Sequence, residues 1–375
     1  MVATSVHEVV IVGAGPAGIG VAAALRDAGV NDVAIIDRYG IGASFRRWPV
    51  ETRLLTPSFP STGWGQADLN AVIPHSSPGW SLRTEHPTGS EYADYLAKAA
   101  EVLELKVGVG ANVMRIELVR GRYRLVLSDA SVMNARCVVW AAGEFQYPRQ
   151  QSFPGSELCL HSGSVRSYAQ LPDTQHVVIG GGESGVDAAI NLAMSGREVV
   201  LITEAAGWEV VGDSDPSMNL APVTMDRLRN AAATGRIEPM TGAQVREVRR
   251  DTEGFKILLT DGRERSSQSP PIDASGFTGS VSVIADRFAK HARGWPLLTS
   301  EDESTKSPGL FLVGPQVRHD ERIFCFIYKY RARFPVVASA IAERLGISVN
   351  GALDIWRQQG MWLDDLSCCG SECAC

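Results

Sequence analysis

The feature that most constrains the fold of this chain is an apolar run near its N-terminus that leads directly into the pattern G-x-G-x-x-G. In order, the stretch consists of the apolar run 8–12, Gly13, Gly15, Gly18, a helical run from Ile19 to Ala28, an apolar run 33–36 and Asp37. This order predicts a strand, a helix that begins at the glycines, and a second strand that ends in an acid. The combined pattern is typical of a dinucleotide-binding βαβ unit and is far more specific than the glycines alone.

Each of these residues has its own physical role in such a unit. Gly13 allows the tight turn, Gly15 lets the backbone approach a pyrophosphate, and Gly18 lets the helix pack closely on the strand. The helix N-terminus presents free N–H groups and the positive end of its dipole to the phosphates. Asp37 follows Gly18 by 19 residues, and a carboxylate at that position accepts hydrogen bonds from a ribose diol.

A second copy of the pattern lies in the middle of the chain. It consists of the apolar run 177–179, Gly180, Gly181, Gly182, Glu183, Ser184, Gly185, a helical run 186–194 and an apolar run 199–202 that ends near Glu204. Asp37 follows Gly13 by 24 residues, and Glu204 follows Gly180 by the same number. The matching registers predict two dinucleotide sites in one chain.

The repetition extends beyond the two fingerprints. Residues 123–129 resemble residues 255–261 at an offset of 132, and 141–143 resemble 274–276 at nearly the same offset. We therefore predict two copies of one plan: a nucleotide-binding βαβ unit, an antiparallel meander, and a return strand that ends in small residues. The first copy carries an insertion at about 43–107, whose irregular, aromatic- and proline-rich part is of the kind that is usually functional.

Three further elements are predicted from local patterns. Apolar residues at helical spacing predict a helix from Ser90 to Leu103, with Ser90 as its N-cap. An apolar run that ends in Gly314 predicts another buried strand. A long helical run is expected from Arg322 to Leu345, bent or divided by Pro335.

Composition limits the function classes. The chain has 36 basic and 42 acidic residues and a formal net charge of −6, which indicates no nucleic-acid surface. It has no apolar run of the length that spans a bilayer, and the first strand begins by about residue 8, which leaves no room for a signal peptide. We therefore expect a soluble, cytoplasmic protein with no membrane partner.

The cysteines fall into two groups. Three are scattered among apolar residues and are expected in the core: Cys137, Cys159 and Cys325. Four crowd the C-terminus: Cys368, Cys369, Cys373 and Cys375. This distribution is not that of a structural disulfide framework.

With two fingerprints, two meanders and two small-residue return strands, the chain resembles the two-dinucleotide-binding flavoproteins. The resemblance implies an α/β fold of two Rossmann-like, three-layer (β/β/α) domains, with the nicotinamide domain inserted in the FAD domain. It places the FAD-binding domain at 1–150 and 276–350, the NAD(P)-binding domain at 151–275, and a C-terminal tail with the cysteine cluster at 351–375.

The resemblance also implies the cofactor contacts. Expected to bind FAD are Gly13, Gly15, Pro16, Ala17, Gly18, Asp37, Arg38, Ser44, Trp48, Val113, Ala142, Gly143 and Gly314. Expected to bind NADH or NADPH are Gly180, Gly182, Glu183, Ser184, Gly185 and Glu204. NADH is favoured, because a carboxylate at Glu204 accepts from a 2′-hydroxyl and repels a 2′-phosphate. Where the family usually has Gly-Asp near the flavin ribitol this chain has Gly314-Pro315, and Asp320 is a candidate replacement.

Within that group, several segments resemble the flavin-dependent monooxygenases. These segments are 44–49, 53–57, 139–148 and part of the Pro154-Gly155 to His161-Ser162 region. The likeness implies hydride transfer from NAD(P)H to FAD and then activation of O2 for a small-molecule substrate. The catalytic residues stay unknown, with His86 and His161 as the candidates for acid–base catalysis. No C-x-x-C precedes Cys368, and Arg322-Ile323-Phe324 resembles the bacillithiol disulfide reductases, which also lack that motif.

The C-terminal tail carries a separate prediction. Leu366 to Gly370 resembles the tail of mercuric reductases and the redox pair of large thioredoxin reductases, so Cys368 and Cys369 are further catalytic candidates. Together with Cys373 and Cys375 they could bind As(III) or another soft metal. Tail and middle together resemble enzymes encoded in arsenic-resistance operons, which implies metalloid resistance.

Two alternatives to a monooxygenase stay open. One is a flavin-dependent disulfide or metalloid reductase that uses the C-terminal cysteines. The other is a non-enzymatic, metal- or redox-sensing flavoprotein, which two intact nucleotide sites argue against. The partners considered are a small-molecule substrate, O2, As(III) and a second copy of the chain.

Overall fold

The computed structural model describes residues 6–59, 65–208 and 215–366. The chain divides into two compact units. The first unit comprises the described parts of Met1–Arg46, Thr56–Glu144 and Gly279–Cys375, and the second comprises Arg47–Leu55 and Phe145–Thr278. The tail predictions at Cys368, Cys369, Cys373 and Cys375 lie outside the described residues.

The strands are numbered in chain order. They are β1 Val6–Val12, β2 Val33–Asp37, β3 Val107–Val109, β4 Val113–Val119, β5 Arg122–Leu127, β6 Val132–Trp140, β7 Leu160–His161, β8 His176–Ile179, β9 Val199–Ile202, β10 Ile237–Met240, β11 Val245–Arg250, β12 Phe255–Leu259, β13 Glu264–Ser267, β14 Ile272–Asp273, β15 Leu310–Leu312, β16 Arg318–His319 and β17 Arg322–Ile323.

The α-helices are numbered in the same way. They are α1 Pro16–Asp27, α2 Ala43–Arg46, α3 Pro78–Leu82, α4 Gly89–Val102, α5 Glu183–Met194, α6 Pro222–Ala232, α7 Ile327–Tyr330, α8 Phe334–Leu345 and α9 Asp354–Gln358. Among the described residues, no helix combines the length and apolarity that crossing a bilayer requires.

The first unit is built on a seven-stranded sheet in the order β3-β2-β1-β6-β5-β4, with β15 also paired to β6. Strand β6 is the centre, because β1 runs parallel to it along one edge while β5 and β15 share its other edge. Val9, Val10 and Ile11 of β1 are fully buried, as expected for a parallel strand covered on both faces. Strands β4, β5 and β6 form the predicted antiparallel meander.

The second unit repeats this plan with one change. Its parallel sheet has the order β10-β9-β8-β14-β7, and a separate antiparallel sheet is formed by β11, β12 and β13. The meander and the return strand are therefore two strands here, β13 and β14, where the first unit has the single strand β6. Pro270 and Pro271 lie between β13 and β14, and because proline lacks an N–H, it interrupts strand pairing. The structure confirms the predicted fold class of two Rossmann-like units.

Two local predictions were wrong. Helix α4 is capped by Thr88 and not by Ser90: the Thr88 hydroxyl accepts from the Glu91 N–H at 3.3 Å, and the Glu91 carboxylate accepts from the Thr88 N–H at 2.7 Å. This reciprocal pair satisfies two free N–H groups at once, whereas Ser90 lies inside the first turn.

The long helix predicted from Arg322 to Leu345 is divided into β17, α7, a 3-10 turn and α8. Pro335 does not bend a helix. It occupies the first turn of α8, where the missing proline N–H would have no helical partner anyway.

Candidate nucleotide-binding sites

The first candidate site lies at the carboxyl ends of β1 and β6, where the order of the sheet reverses and ligands of such folds bind. Gly13 follows β1 with a φ of +113°. A Cβ there would lie 2.4 Å from the Ala141 carbonyl oxygen, and a Cβ on Gly18 would lie 1.9 Å from that of Gly13. Neither position can hold another residue without moving backbone, so the turn requires both glycines.

Two other glycines at this site face open space. A Cβ on Gly15 or on Gly143 would meet no atom within 4 Å. Gly15 is the N-cap of α1 and receives no side-chain cap, and the N–H groups of the first turn of a helix lack intrahelical partners. The chain thus leaves a cradle at Gly15 that a side chain would fill and that suits the pyrophosphate of FAD.

Asp37 has a structural role as well as the predicted one. Its carboxylate accepts from the N–H groups of Ala14 at 2.9 Å, Tyr39 at 2.7 Å and Gly40 at 2.8 Å. A carboxylate has about four lone-pair positions, so one on Oδ2 remains for a ribose hydroxyl. The acid therefore joins the glycine turn to the loop after β2.

Other residues predicted to bind FAD lie around this edge of the first unit. Val113 begins β4, and Ala111 just before it donates its N–H to the Asp37 carbonyl oxygen at 3.1 Å. Ala142 and Gly143 follow β6, and Gly314 follows β15 with a φ of +110°. Pro16 and Ala17 start α1, the Arg38 guanidinium lies 4.9 Å from the Tyr39 ring centre, and Ser44 lies in α2.

Two predictions about this site are modified by the structure. Trp48 belongs to the second unit, where its ring lies 6.4 Å from that of Phe145. Asp320 has a 91% exposed side chain, 3.9 Å from Arg322. The polar side chain held close behind Gly314-Pro315 is instead Gln316, whose Oε1 accepts from the Ser280 hydroxyl at 3.2 Å and from the Val281 N–H at 3.1 Å. Sequence reasoning missed Gln316.

The second candidate site lies at the ends of β8 and β14 and has the same construction. Gly180 has a φ of +117°, and a Cβ there would lie 2.7 Å from the Ala274 carbonyl oxygen. A Cβ on Gly185 would lie 1.9 Å from the Gly180 carbonyl oxygen, whereas Gly182 and Gly276 face open space. Gly182 is the N-cap of α5, with Ser184 exposed in its first turn. This arrangement suits the pyrophosphate of a nicotinamide nucleotide.

The two acids of the second site differ in their surroundings. Glu204 is exposed just beyond β9. Glu183 is bonded instead to the start of α6, because its carboxylate accepts from the Ala221 N–H and from the Thr224 hydroxyl, the latter at 2.7 Å. Burial raises the pKa of Glu183. This side chain supplies a cap that α6 otherwise lacks.

The two histidine candidates have different environments. His161 Nδ1 accepts from the Gly163 N–H at 3.1 Å, so its Nε2–H donates to the Gly276 carbonyl oxygen at 3.0 Å. Both ring nitrogens are thus used within the second unit, and the ring also packs edge-on against Phe277 at 5.2 Å. This is the pattern of a structural histidine. His86 is partly buried in the segment before α4.

Glu144 is a candidate that sequence reasoning missed. It follows Gly143 directly at the end of β6 and is partly buried. Burial raises the pKa of its carboxyl, against an opposing effect of Arg318, and Glu144 in turn contributes to a raised pKa at buried Tyr330. The sequence signal is a single acid between small and aromatic residues just beyond a return strand.

Among the described residues, no three His, Cys, Asp or Glu side chains are grouped as metal ligands. The free cysteines in that part of the chain are Cys137, Cys159 and Cys325. Burial raises the pKa of Cys137 to about 11 and that of Cys159 to about 12, so both are held as thiols.

Known proteins share this arrangement. The profile of the family described as pyridine nucleotide-disulphide oxidoreductase matches residues 10–314. Among curated proteins, the chain is similar to the flavoprotein alkyl hydroperoxide reductase F of Staphylococcus epidermidis, with 25% identity over 316 residues, which are 82% of this chain and 54% of that protein. The chain spans about half the length of the curated relatives that it matches.

Two solved structures have a similar fold. One is a bacillithiol disulfide reductase from Staphylococcus aureus, with a TM-score of 0.73, 18% identity, and coverage of 90% of this chain and 98% of that one. The other is a flavin-containing monooxygenase from Stenotrophomonas maltophilia, with a TM-score of 0.72, 19% identity, and coverage of 91% and 99%. At this identity the likeness concerns the fold, which is that of two-domain FAD/NAD(P) oxidoreductases.

Proposed function

Because the chain belongs to the pyridine nucleotide-disulphide oxidoreductase family, we propose that it is a flavin monooxygenase-like enzyme that binds FAD in its first unit and a nicotinamide nucleotide in its second. An oxidoreductase that depends on FAD and NAD(P)H is what the family implies. Bound FAD would supply two-electron chemistry, taking hydride from the nicotinamide and passing the electrons to O2.

The observation that carries this proposal is the pair of glycine turns with open cradles. Gly15 and Gly182 each stand at the uncapped N-terminus of a helix, and neither has an atom within 4 Å of the place a Cβ would take. Two such cradles fit an enzyme that uses two nucleotides. The monooxygenase-like segments 44–49 and 139–148 and the fold of the Stenotrophomonas enzyme support reaction with O2.

We further propose that NADH is used at least as well as NADPH. Glu204 is exposed at the end of β9, where a carboxylate accepts from a ribose 2′-hydroxyl and repels a 2′-phosphate. No arginine occurs between Thr203 and Val211 to receive that phosphate. Steady-state kinetics with both nucleotides tests this, and a strong preference for NADPH would refute it.

The proposed function is tested by a matched pair of substitutions, Gly15→Val and Gly182→Val. Because both positions face open space, the variants should fold, and the new side chain should block only the nucleotide. We expect Gly15→Val to be purified without flavin colour. Gly182→Val should retain FAD but lose most of its reduction by NADH, by about 100-fold or more.

The assay follows NADH oxidation, oxygen uptake and peroxide release together in the purified wild-type protein. Oxygen consumption at the expense of NADH supports the proposal, and a wild-type protein without flavin overturns it. If Gly15→Val keeps its flavin spectrum, the first site is assigned wrongly.

A second candidate function is that of a disulfide or metalloid reductase. The fold likeness to the bacillithiol disulfide reductase favours it, together with the four cysteines at 368–375. We propose that these thiols bind As(III) or another soft metal, or relay electrons. Deletion of 368–375 should leave the FAD content and the thermal midpoint nearly unchanged and should lower As(III) binding or reductase activity. A truncated protein that equals the full chain in every assay would show that the cysteines are idle.

A further inference from the structure

One segment of the first copy's insertion belongs to the other unit. The chain leaves the first unit after Arg46, contributes Arg47–Leu55 to the second unit, and returns to the first at Thr56. We call Arg47–Leu55 the strap. The second copy has no equivalent, because it lacks the insertion.

The strap is held in the second unit by the carboxylate of Glu51. Its Oε1 accepts from the Ser167 hydroxyl at 2.6 Å and from the Ala169 N–H at 3.1 Å, and its Oε2 accepts from the Tyr168 N–H at 3.2 Å. Burial alone would raise the pKa of Glu51, but these hydrogen bonds lower it overall, so the acid is ionised at neutral pH. The Val50 N–H adds a bond to the Arg166 carbonyl oxygen at 3.0 Å.

Thr52 joins the strap to helix α5. Its hydroxyl donates to Asp187 Oδ2 at 2.7 Å, and the other oxygen of Asp187 accepts from Arg227 of α6 at 2.7 Å. Asp187 is 7% exposed and lies one turn beyond Glu183, the first residue of α5. The strap is thus bonded to the helix whose N-terminus forms the second nucleotide cradle.

The residues immediately before the strap are bonded to the first cradle. The Gly42 N–H donates to the Ala14 carbonyl oxygen at 3.0 Å, and Ala14 in turn donates to Asp37 at 2.9 Å. Helix α2 follows Gly42 and ends at Arg46, which is anchored to Asp94 of α4 at 2.7 Å. One continuous segment, 42–52, therefore carries hydrogen bonds to the glycine turn of one unit and to the nucleotide helix of the other.

We propose that Glu51 and Thr52 are positioning residues through which the two nucleotide sites are coupled. The inference rests on the proposed function for the identity of the nucleotides. A nucleotide at either site orders its end of segment 42–52, so the second nucleotide meets a segment that is already ordered, and binding is mutually favourable. Such coupling is reciprocal and is typically worth 5- to 150-fold.

The experiment uses the FAD-loaded protein and NAD⁺, which occupies the second site without reducing the flavin. FAD release after dilution is followed by flavin fluorescence, with and without saturating NAD⁺. In the wild type we expect NAD⁺ to slow release about fivefold or more. In Thr52→Val and in Glu51→Gln the slowing should fall below about twofold, with NAD⁺ still bound by titration.

Two controls separate coupling from general weakening. Thr52→Ser keeps the hydroxyl and should restore the wild-type response. Thr234→Val removes a threonine bond to Ala231 in the same unit, away from the strap, and should also behave as wild type. Slowing that survives in Thr52→Val and Glu51→Gln would mean that NAD⁺ merely obstructs FAD release, and would overturn the inference.

Failure of the inference and failure of the proposed function give different results. Binding of both nucleotides without any effect of NAD⁺ on FAD release overturns the coupling alone. A wild-type protein that binds no FAD or no NAD⁺ overturns the proposed function, and the coupling with it.

Discussion

The two nucleotide-binding units repeat most closely where a side chain would be least tolerated. Gly13 and Gly180 have φ values of +113° and +117°, and Gly18 and Gly185 would each bring a Cβ to 1.9 Å from a backbone oxygen. These contacts are between backbone atoms, so flexible side chains cannot relieve them. The comparison shows that the steric rules of the turn are local and are met identically in both copies.

The acids at the ends of the second strands differ, although their registers match. Asp37 accepts three backbone N–H bonds and orders the loop after β2. Glu204 is exposed, while the nearby Thr203 hydroxyl bonds to the Ala205 carbonyl oxygen at 2.6 Å. Equal spacing in the sequence therefore conceals a structural acid in one unit and an acid open to a ligand in the other.

The largest expected effect comes from paired substitutions at the crowded glycines. Gly18→Ala and Gly185→Ala each force backbone apart and should cost about 3 kcal/mol or more. Gly18→Ala should remove FAD, whereas Gly185→Ala should retain flavin colour and lose reduction by NADH. Flavin content and stopped-flow reduction are the measurements. Equal loss of FAD in both variants would contradict independent construction of the two sites.

A smaller effect is expected at the two acids. Asp37→Asn leaves at least one backbone N–H unpaired and should lower the free energy of unfolding by about 1–3 kcal/mol, with weaker FAD binding. Glu204→Gln should change stability by less than about 0.5 kcal/mol and raise the relative use of NADPH about tenfold, by removing a charge repulsion worth roughly 1.4 kcal/mol. Urea unfolding and kinetics with both nucleotides check this, and a destabilised Glu204→Gln would remove the contrast.

What could be predicted from the sequence was what depends on neighbours in the chain. The glycine turns and the meanders follow from local sterics and alternation, and both meanders form as predicted. The N-cap at Thr88 was also local, but its capping box with Glu91 outweighs a plausible serine two residues on.

What could not be predicted depends on residues far apart in the sequence. His161 is fixed by a carbonyl 115 residues away, Glu183 by Thr224 and Ala221 of another helix, and the strap by contacts 116 to 135 residues away. No periodicity encodes such pairings. They determine which of the predicted site residues face a ligand and which stabilise the fold.

The smallest expected effect concerns the residue after each return-strand glycine. In the second unit this residue is Phe277, which packs on His161 and Phe145, and in the first it is Glu144. Burial raises the pKa of Glu144, so between its usual pKa and the raised one the folded state holds more protons than the unfolded state. The stability of the wild type should therefore fall as pH rises through that interval.

Glu144→Gln imitates the protonated carboxyl at every pH and removes this dependence. We expect its thermal midpoint to exceed that of the wild type by about 2 °C at pH 8 and the difference to vanish near pH 4, where the wild-type acid is protonated in both states. Calorimetry of the two proteins from pH 4 to pH 8 measures the difference. A gap that stays constant with pH, or a variant less stable than the wild type at pH 8, would show that the two units do not differ in this way and that Glu144 is an ordinary surface acid.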